Sequence, residues 1–393
     1  MLFTEYKLGP VLLRNRSIRS AAFEGMCPGN RVSDDLIDYH VSVAAGGVGM
    51  TTIAYAAVSR SGLSFPHQLL INREAVPDLK RLTSAIHREG AAVSVQLGHC
   101  GLMAKKSIAG KCISPSGGFN LYGPTWPRTI TVTEINEIIG DFKNAVTIAG
   151  EAGFDAVEVH AGHGYLISQF LSPYTNKRTD LYGGSFENRS RFMVEVIREV
   201  MKAAGNSMAV VVKMNMRDGF RGGMELNESL NVAKLLENEG VHGLVLSGGF
   251  VSKAPMYVMR GSMPVNVMAR YMSNPWMRFA TKYFGHMLMK SEPYREGYFL
   301  EDALVFRKTL KVPMIYVGGL KSKDMIERVL SEGFEFVQIA RALIQDPGFI
   351  NQLKQAGPFE SECQSTNYCI ARMYSGKMAC FQHTEGGAAE LGR

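Results

Sequence analysis

Eight short β-rich runs alternate with helix-like segments along this 393-residue chain, and that alternation limits its fold more than any other feature. The runs cover residues 17–21, 48–54, 91–97, 156–161, 209–215, 243–248, 314–318 and 336–340. Amphipathic stretches at 75–89, 133–152, 187–204, 227–239 and 322–331 lie between them. Gly90, Gly153, Gly205, Gly240 and Gly333 stand where these stretches end. Glycine stops a helix well because it enters the left-handed region without a Cβ penalty. Strands that alternate with helices predict parallel pairing through crossover connections. Continuous apolar strands predict burial on both faces of the sheet. Eight such units predict closure into a (β/α)8 TIM barrel. An open doubly wound sheet is the alternative, and the lack of a G-x-G-x-x-G loop weighs against it. Two segments interrupt the rhythm: a polar loop at 98–130 after the third strand, and a long insertion at 249–300 after the sixth.

With 46% hydrophobic residues the chain can bury a large core. The formal net charge of +7 is spread without a long basic run, so nucleic-acid binding is disfavoured. The longest uncharged stretch, 41–59, contains glycines and threonines and reads as a helix end plus a strand, so no membrane association is expected. Six cysteines in a chain of this length need no disulfide framework, and a cytoplasmic location follows as the expectation. Cys363, Cys369 and Cys380 are too few for an ordinary four-thiolate cluster, so free thiols in a C-terminal cap are expected.

If the chain is a barrel, its chemistry belongs at the C-terminal strand ends. Polar residues collect there. His160, His163 and Tyr165 leave the fourth run together. Two imidazoles and a phenol can hydrogen-bond an oxygen and deliver a proton. Zinc would need a third ligand, and none stands nearby, so no metal is expected. Lys213 ends the fifth run and, if buried, requires an anion; a lysine reaching to solvent is nearly as good a reading. Gln96 offers a donor and an acceptor, or merely caps a loop. Gly318 and Gly319 open a helix whose backbone N–H groups can hold a phosphate, with Arg341 at the next strand end. The methionine-rich and aromatic insertion reads as packing or an interface before it reads as a pocket wall.

These residues carry a resemblance. The chain resembles the Old Yellow Enzyme family of FMN-dependent NAD(P)H oxidoreductases, in particular the bacterial branch that includes the barrel domain of 2,4-dienoyl-CoA reductase. The matching motifs are Leu13–Arg16 through Glu24-Gly25, Gly46–Gly49, Val95–His99, the segment 160–189, and Val317–Gly319 with Ile339–Arg341. The resemblance implies FMN across the barrel mouth and NADH or NADPH as hydride donor. It also implies ene-reductase chemistry, with hydride passing by flavin N5 to the β-carbon of an apolar α,β-unsaturated carbonyl acceptor. It assigns ring contacts to Ser20, Ala21, Ala22, Tyr55 (through its backbone), Gln96 and Lys213. Phosphate contacts fall to Gly318, Gly319, Ala340 and Arg341. His160 and His163 become donors to the substrate oxygen, and Tyr165 the proton donor. Ala22 and Phe23 replace the hydroxyl or thiol of many relatives, Ala340 replaces a glycine, and Thr366 stands where cluster-bearing members have cysteine. A single domain over 1–383, including the C-terminal cap, and a polar tail at 384–393 are expected, with a homo-oligomer left open. Two other classes fit parts of the pattern: a barrel lyase or isomerase acting on a phosphorylated substrate, and a flavin-binding sensor without turnover.

Overall fold

The computed structural model describes residues 1–120, 125–272, 274–289, 291–374 and 376–382. The expected tail at 384–393 lies outside them.

The eight β-rich runs form one closed parallel barrel. Its strands are β1 (Ser17–Arg19), β2 (Met50–Ala57), β3 (Ala92–Gly98), β4 (Ala156–Ala161), β5 (Ala209–Asn215), β6 (Gly243–Ser247), β7 (Met314–Val317) and β8 (Phe336–Ile339). Each pairs with its neighbour in sequence, and β8 closes on β1 with Val337 opposite Ser17. The crossover helices are α1 (Asp34–Ala45), α2 (Val76–Arg88), α3 (Val132–Glu151), α4 (Phe186–Ala204), α5 (Leu226–Asn238), α6 (Leu300–Thr309) and α7 (Lys323–Ser331), and α8 (Arg341–Gln345) follows β8. Their starts are set by local chemistry. Thr131 and Glu134 form a reciprocal capping box on α3, and Ser185 and Ser322 cap α4 and α7. The stretch at 41–59 is the end of α1 followed by β2, and no helix among the described residues is long and apolar enough to cross a membrane.

A hairpin of Tyr6–Leu8 and Val11–Leu13 closes the N-terminal end of the barrel. Its Leu8 and Leu13 are fully buried and pack with Met50, Ala156, Ala209 and Phe336, the first residues of four strands. One end is therefore sealed by apolar side chains, and the polar strand ends face the other way.

That other end is roofed by the two interrupting segments. The loop at 98–130 contains a short turn at Lys106–Ala109 and a two-residue strand pair, Ile113–Ser114 with Arg128–Thr129. Among the described residues the insertion forms two short helices, Pro255–Val258 and Val265–Arg270, and a longer one, Pro275–Leu288. Its Met256, Met263, Met268 and Met289 build a small core of their own with Tyr368 and Ala371 of the C-terminal cap. Asn367 ties the two together by donating to the carbonyls of Met259 (2.6 Å) and Ser262 (2.8 Å). These four methionines pack, while Met259, Met268, Met272, Met277 and Met289 line the cavity below, so the insertion is both packing and pocket wall.

Candidate active site

A cavity of about 1730 Å³ lies between the strand ends and this roof. Its floor is a network of buried polar groups. Glu158 in β4 accepts from Gln96 of β3 (2.6 Å) and Gln338 of β8 (2.6 Å), and it pairs with Lys213 of β5 at 2.9 Å. Lys213 also reaches Ser20 Oγ at 3.4 Å, and Ser20 bonds Gln338 at 3.1 Å. All five side chains are buried. Burial of a charge is tolerated only when it is paired and hydrogen-bonded, and here both charges are. The anion that Lys213 required is therefore supplied by the chain itself. Glu158 and Gln338 were not among the residues expected at the site. A glutamate inside the otherwise apolar run 156–159 was the available signal.

A second buried network fixes the segment after β1. Arg19 donates to Glu24 (2.7 Å), to the Thr52 carbonyl (2.6 Å) and to the Ala22 carbonyl (3.2 Å). Glu24 in turn accepts the Ala54 N–H. Ser20, Ala21 and Ala22 are held on the cavity wall by this arrangement, while Phe23 stacks on Phe65 with ring centroids 4.4 Å apart. The β2–β3 register shifts between Ile53 and Ala56, and Tyr55 sits in that irregularity with its side chain on the cavity. Its hydroxyl bonds Ser64.

His160, His163 and Tyr165 stand together on one wall. The His160 ring centroid lies 5.1 Å from that of His163 and 4.5 Å from that of Tyr165, which in turn is 4.9 Å from Tyr55. The strand ends at Ala161, and His163 takes a left-handed backbone (φ 57°) beyond it, with its imidazole beside that of His160. Asn215 Oδ1 accepts the His163 N–H at 2.9 Å and holds that turn. Gly164 follows at φ 80°, and a Cβ there would meet the Phe250 ring at 2.5 Å. The Gly162 N–H donates to His160 Nδ1 (3.4 Å), which leaves Nε2 as the proton-bearing atom. His163 Nε2 lies 2.7 Å from Ser247 Oγ at the end of β6. Burial, then His163 and Lys213, hold His160 well below the usual imidazole range; burial, then Lys213, hold His163 down at about 3. Both rings are neutral donors at ordinary pH. His99 turns away instead, bonding Ser61 at 3.1 Å. Among the described residues, no group of three His, Cys, Asp or Glu side chains is placed to hold a metal ion.

The strand ends of β7 and β8 differ from expectation in one respect. The N-terminus of α7 is already filled: Glu296 accepts from the Lys321 and Ser322 N–H groups (2.8 Å each), and Ser322 caps Met325. A phosphate cannot share that end with a carboxylate. Gly318 and Gly319, at φ 138° and 70°, let the cavity-lining Phe299 and Tyr298 approach closely, since a Cβ would sit 2.9 and 2.7 Å from those rings. Among the described residues the backbone N–H groups of Gly318, Gly319, Ala340 and Arg341 have no acceptor. Ala340 and Arg341 line the cavity, and Arg341 Nη1 is steadied by the Arg260 carbonyl (2.7 Å) and Asn367 Oδ1 (3.0 Å). Free N–H groups beside a guanidinium suit a phosphate. A neutral amide and a lysine beside apolar side chains suit a planar heteroaromatic ring. The volume exceeds the roughly 300–1,000 Å³ of a pocket for one drug-sized ligand, so a flavin leaves space for a reactant.

Known proteins point to a flavin-dependent family. Residues 1–278 match the NADH:flavin oxidoreductase / NADH oxidase family. The chain is 40% identical over 379 residues to a 4,4'-dithiodibutanoate disulfide reductase of Rhodococcus erythropolis, covering 95% of this chain and 93% of that protein. It is 32% identical to an NADH oxidase of Thermoanaerobacter brockii, covering 94% of this chain but 53% of the other. A solved 2-naphthoyl-CoA reductase shares the fold with a TM-score of 0.83 at 24% identity, over 100% of this chain and 58% of that one. The chain belongs to the NADH:flavin oxidoreductase / NADH oxidase family, the Old Yellow Enzyme family of FMN-dependent oxidoreductases that draw on a nicotinamide donor.

Proposed function

We propose that this oxidoreductase reduces the carbon–carbon double bond of an apolar α,β-unsaturated carbonyl compound in the cavity above the barrel. The observation that carries the reading is the convergence of two neutral imidazoles and a phenol on a wall facing the Ser20–Gln96–Lys213 floor. Ser20, Ala21, Ala22, Tyr55, Gln96 and Lys213 would surround the ring of FMN, and Gly318, Gly319, Ala340 and Arg341 its phosphate. When bound, FMN supplies two-electron chemistry, taking hydride from NADH or NADPH and passing it to the acceptor's β-carbon.

The chain's own groups do the rest. His160 donates through Nε2–H to the acceptor's carbonyl oxygen. His163 donates to the same oxygen, with Ser247 fixing its ring. Negative charge grows on that oxygen as the β-carbon gains hydride, so the donors bind the transition state more tightly than the ground state. Neutral imidazoles serve this purpose without a charge to desolvate. Tyr165 gives its phenolic proton to the α-carbon, the enolate collapses to the saturated carbonyl, and water restores the phenol. Glu158 holds Lys213 and Gln96 in place to meet the ring that they would contact. The Rhodococcus relative is named for a disulfide acceptor. A disulfide would also accept two electrons here, but a proton donor beside paired oxygen ligands favours the enone.

The test is anaerobic. FMN-loaded protein should bleach with NADH or NADPH and regain its colour on addition of a cyclic enone, with the saturated ketone as product. Recolouring by 4,4'-dithiodibutanoate but by no enone would overturn the reading.

A further inference from the structure

The cavity lining has an unusual charge balance. Seven of its side chains are lysine or arginine, and among the described residues none is aspartate or glutamate. The chain as a whole has 36 acidic residues, so the exclusion is not a matter of composition. Five of the seven cations have work already. Lys213 pairs with Glu158, and Lys111 and Arg128 with Glu134 behind the wall. Lys253 lies 4.7 Å from the Tyr174 ring centroid, and Arg341 belongs to the β8 end. Lys105 and Lys106 remain. Both are exposed, both border the cavity, and among the described residues neither forms an ion pair. They open the turn Lys106–Ala109, whose Ala109 belongs with Ala104 and Cys100 to a small cluster against which Tyr165 packs. The apolar side chains of Met103 and Ile108 from the same segment line the cavity too.

We infer that Lys105 and Lys106 form a subsite for an anionic group, carboxylate or phosphate, at the far end of a reactant whose reacting end lies at Tyr165. This deepens the proposed function and rests on it for the position of the reacting end. An amphiphile with an apolar body and a charged tail matches the lining: apolar over most of its area, cationic at the rim, with no carboxylate to repel the tail. The anion could belong to the unsaturated acceptor or to the diphosphate of the nicotinamide donor, and the experiment separates the two.

An enone ending in a carboxylate is compared with its methyl ester, and NADH with NADPH, in wild type and in K105Q/K106Q. The wild type should show a KM for the acid roughly five- to tenfold below that of the ester, the ratio shrinking as salt screens the rim. In the variant the ratio should fall to about one while the ester's constants stay within twofold, and K105R/K106R should restore the preference. A rise confined to the KM of both nicotinamides assigns the subsite to the donor's diphosphate. Calorimetric dissociation constants of the saturated acid, its ester and the nicotinamides give the same comparison without turnover. Failure of enone reduction alone would therefore strike the earlier reading and leave this one decided by binding. If no constant for any charged reactant moves more than twofold, the subsite does not exist.

Discussion

The floor and the roof of the cavity are built on opposite plans. On the floor each charge has a buried partner: Glu158 with Lys213 on the neighbouring strand, Arg19 with Glu24 in the segment that follows β1. In the roof the helix Pro275–Leu288 leaves Trp276 83% and Tyr283 62% exposed, and Lys105 and Lys106 at the rim form no ion pair among the described residues. Strand backbones hold the floor in register, whereas the roof rests on a small methionine core and a few side chain-to-carbonyl bonds. The difference teaches a division of labour. Groups that must be positioned to fractions of an ångström sit on strands or within a few residues of a strand end, and groups that choose among reactants sit on longer loops that can vary without disturbing the barrel.

Mutations should respect that division. The largest effect is expected for Tyr165→Phe, with turnover of the acceptor slowed on the order of 10²–10⁴ and flavin reduction by NADH nearly unchanged, both read by stopped flow. His160→Ala and His163→Ala should each cost about 10²–10³ in acceptor reduction. Glu158→Ala leaves a buried lysine without its partner and should lower stability by about 3–5 kcal/mol in urea titrations, whereas a joint Glu158→Leu, Lys213→Met change should cost much less. If Glu158→Ala were no more damaging than a roof substitution, the contrast between the two regions would be wrong. Trp276→Ala should shift stability by no more than about 0.5 kcal/mol, since its ring is exposed.

Acid supplies a further check on the floor and its walls. Burial holds His99 and His163 down at about 3, and His160 is depressed as well. Between that value and the usual 6.5, the unfolded chain binds protons that the folded one refuses. Stability should therefore be full above pH 6.5 and fall as pH drops through that window, and a melting series should show it. Acceptor reduction should show no imidazole ionisation between pH 6 and 8.

Much of this was legible in the residues. The strand runs, their glycine stops and the two interruptions carry strong local signals, and the barrel follows from them. The trio His160, His163 and Tyr165 was visible because the three leave one strand end together. What stayed hidden depends on lateral pairing. The partnership of Glu158 with Lys213 needs the register that puts His160 beside Lys213 on adjacent strands. The capture of the α7 N-terminus by Glu296 comes from a residue some 25 positions away that no local pattern links to Lys321. A glycine pair before a helix resembles a phosphate loop whether or not a carboxylate has already taken the helix end.

The most direct test follows the two hydrogens added to a cyclic enone. Wild-type protein turning over nicotinamide deuterated at the transferred position, in ordinary water, should place deuterium on the β-carbon, and turnover of unlabelled nicotinamide in D2O should place it on the α-carbon. Deuterium from solvent on the β-carbon, or α-labelling that proceeds as fast in Tyr165→Phe as in wild type, would contradict the roles given to the cavity wall.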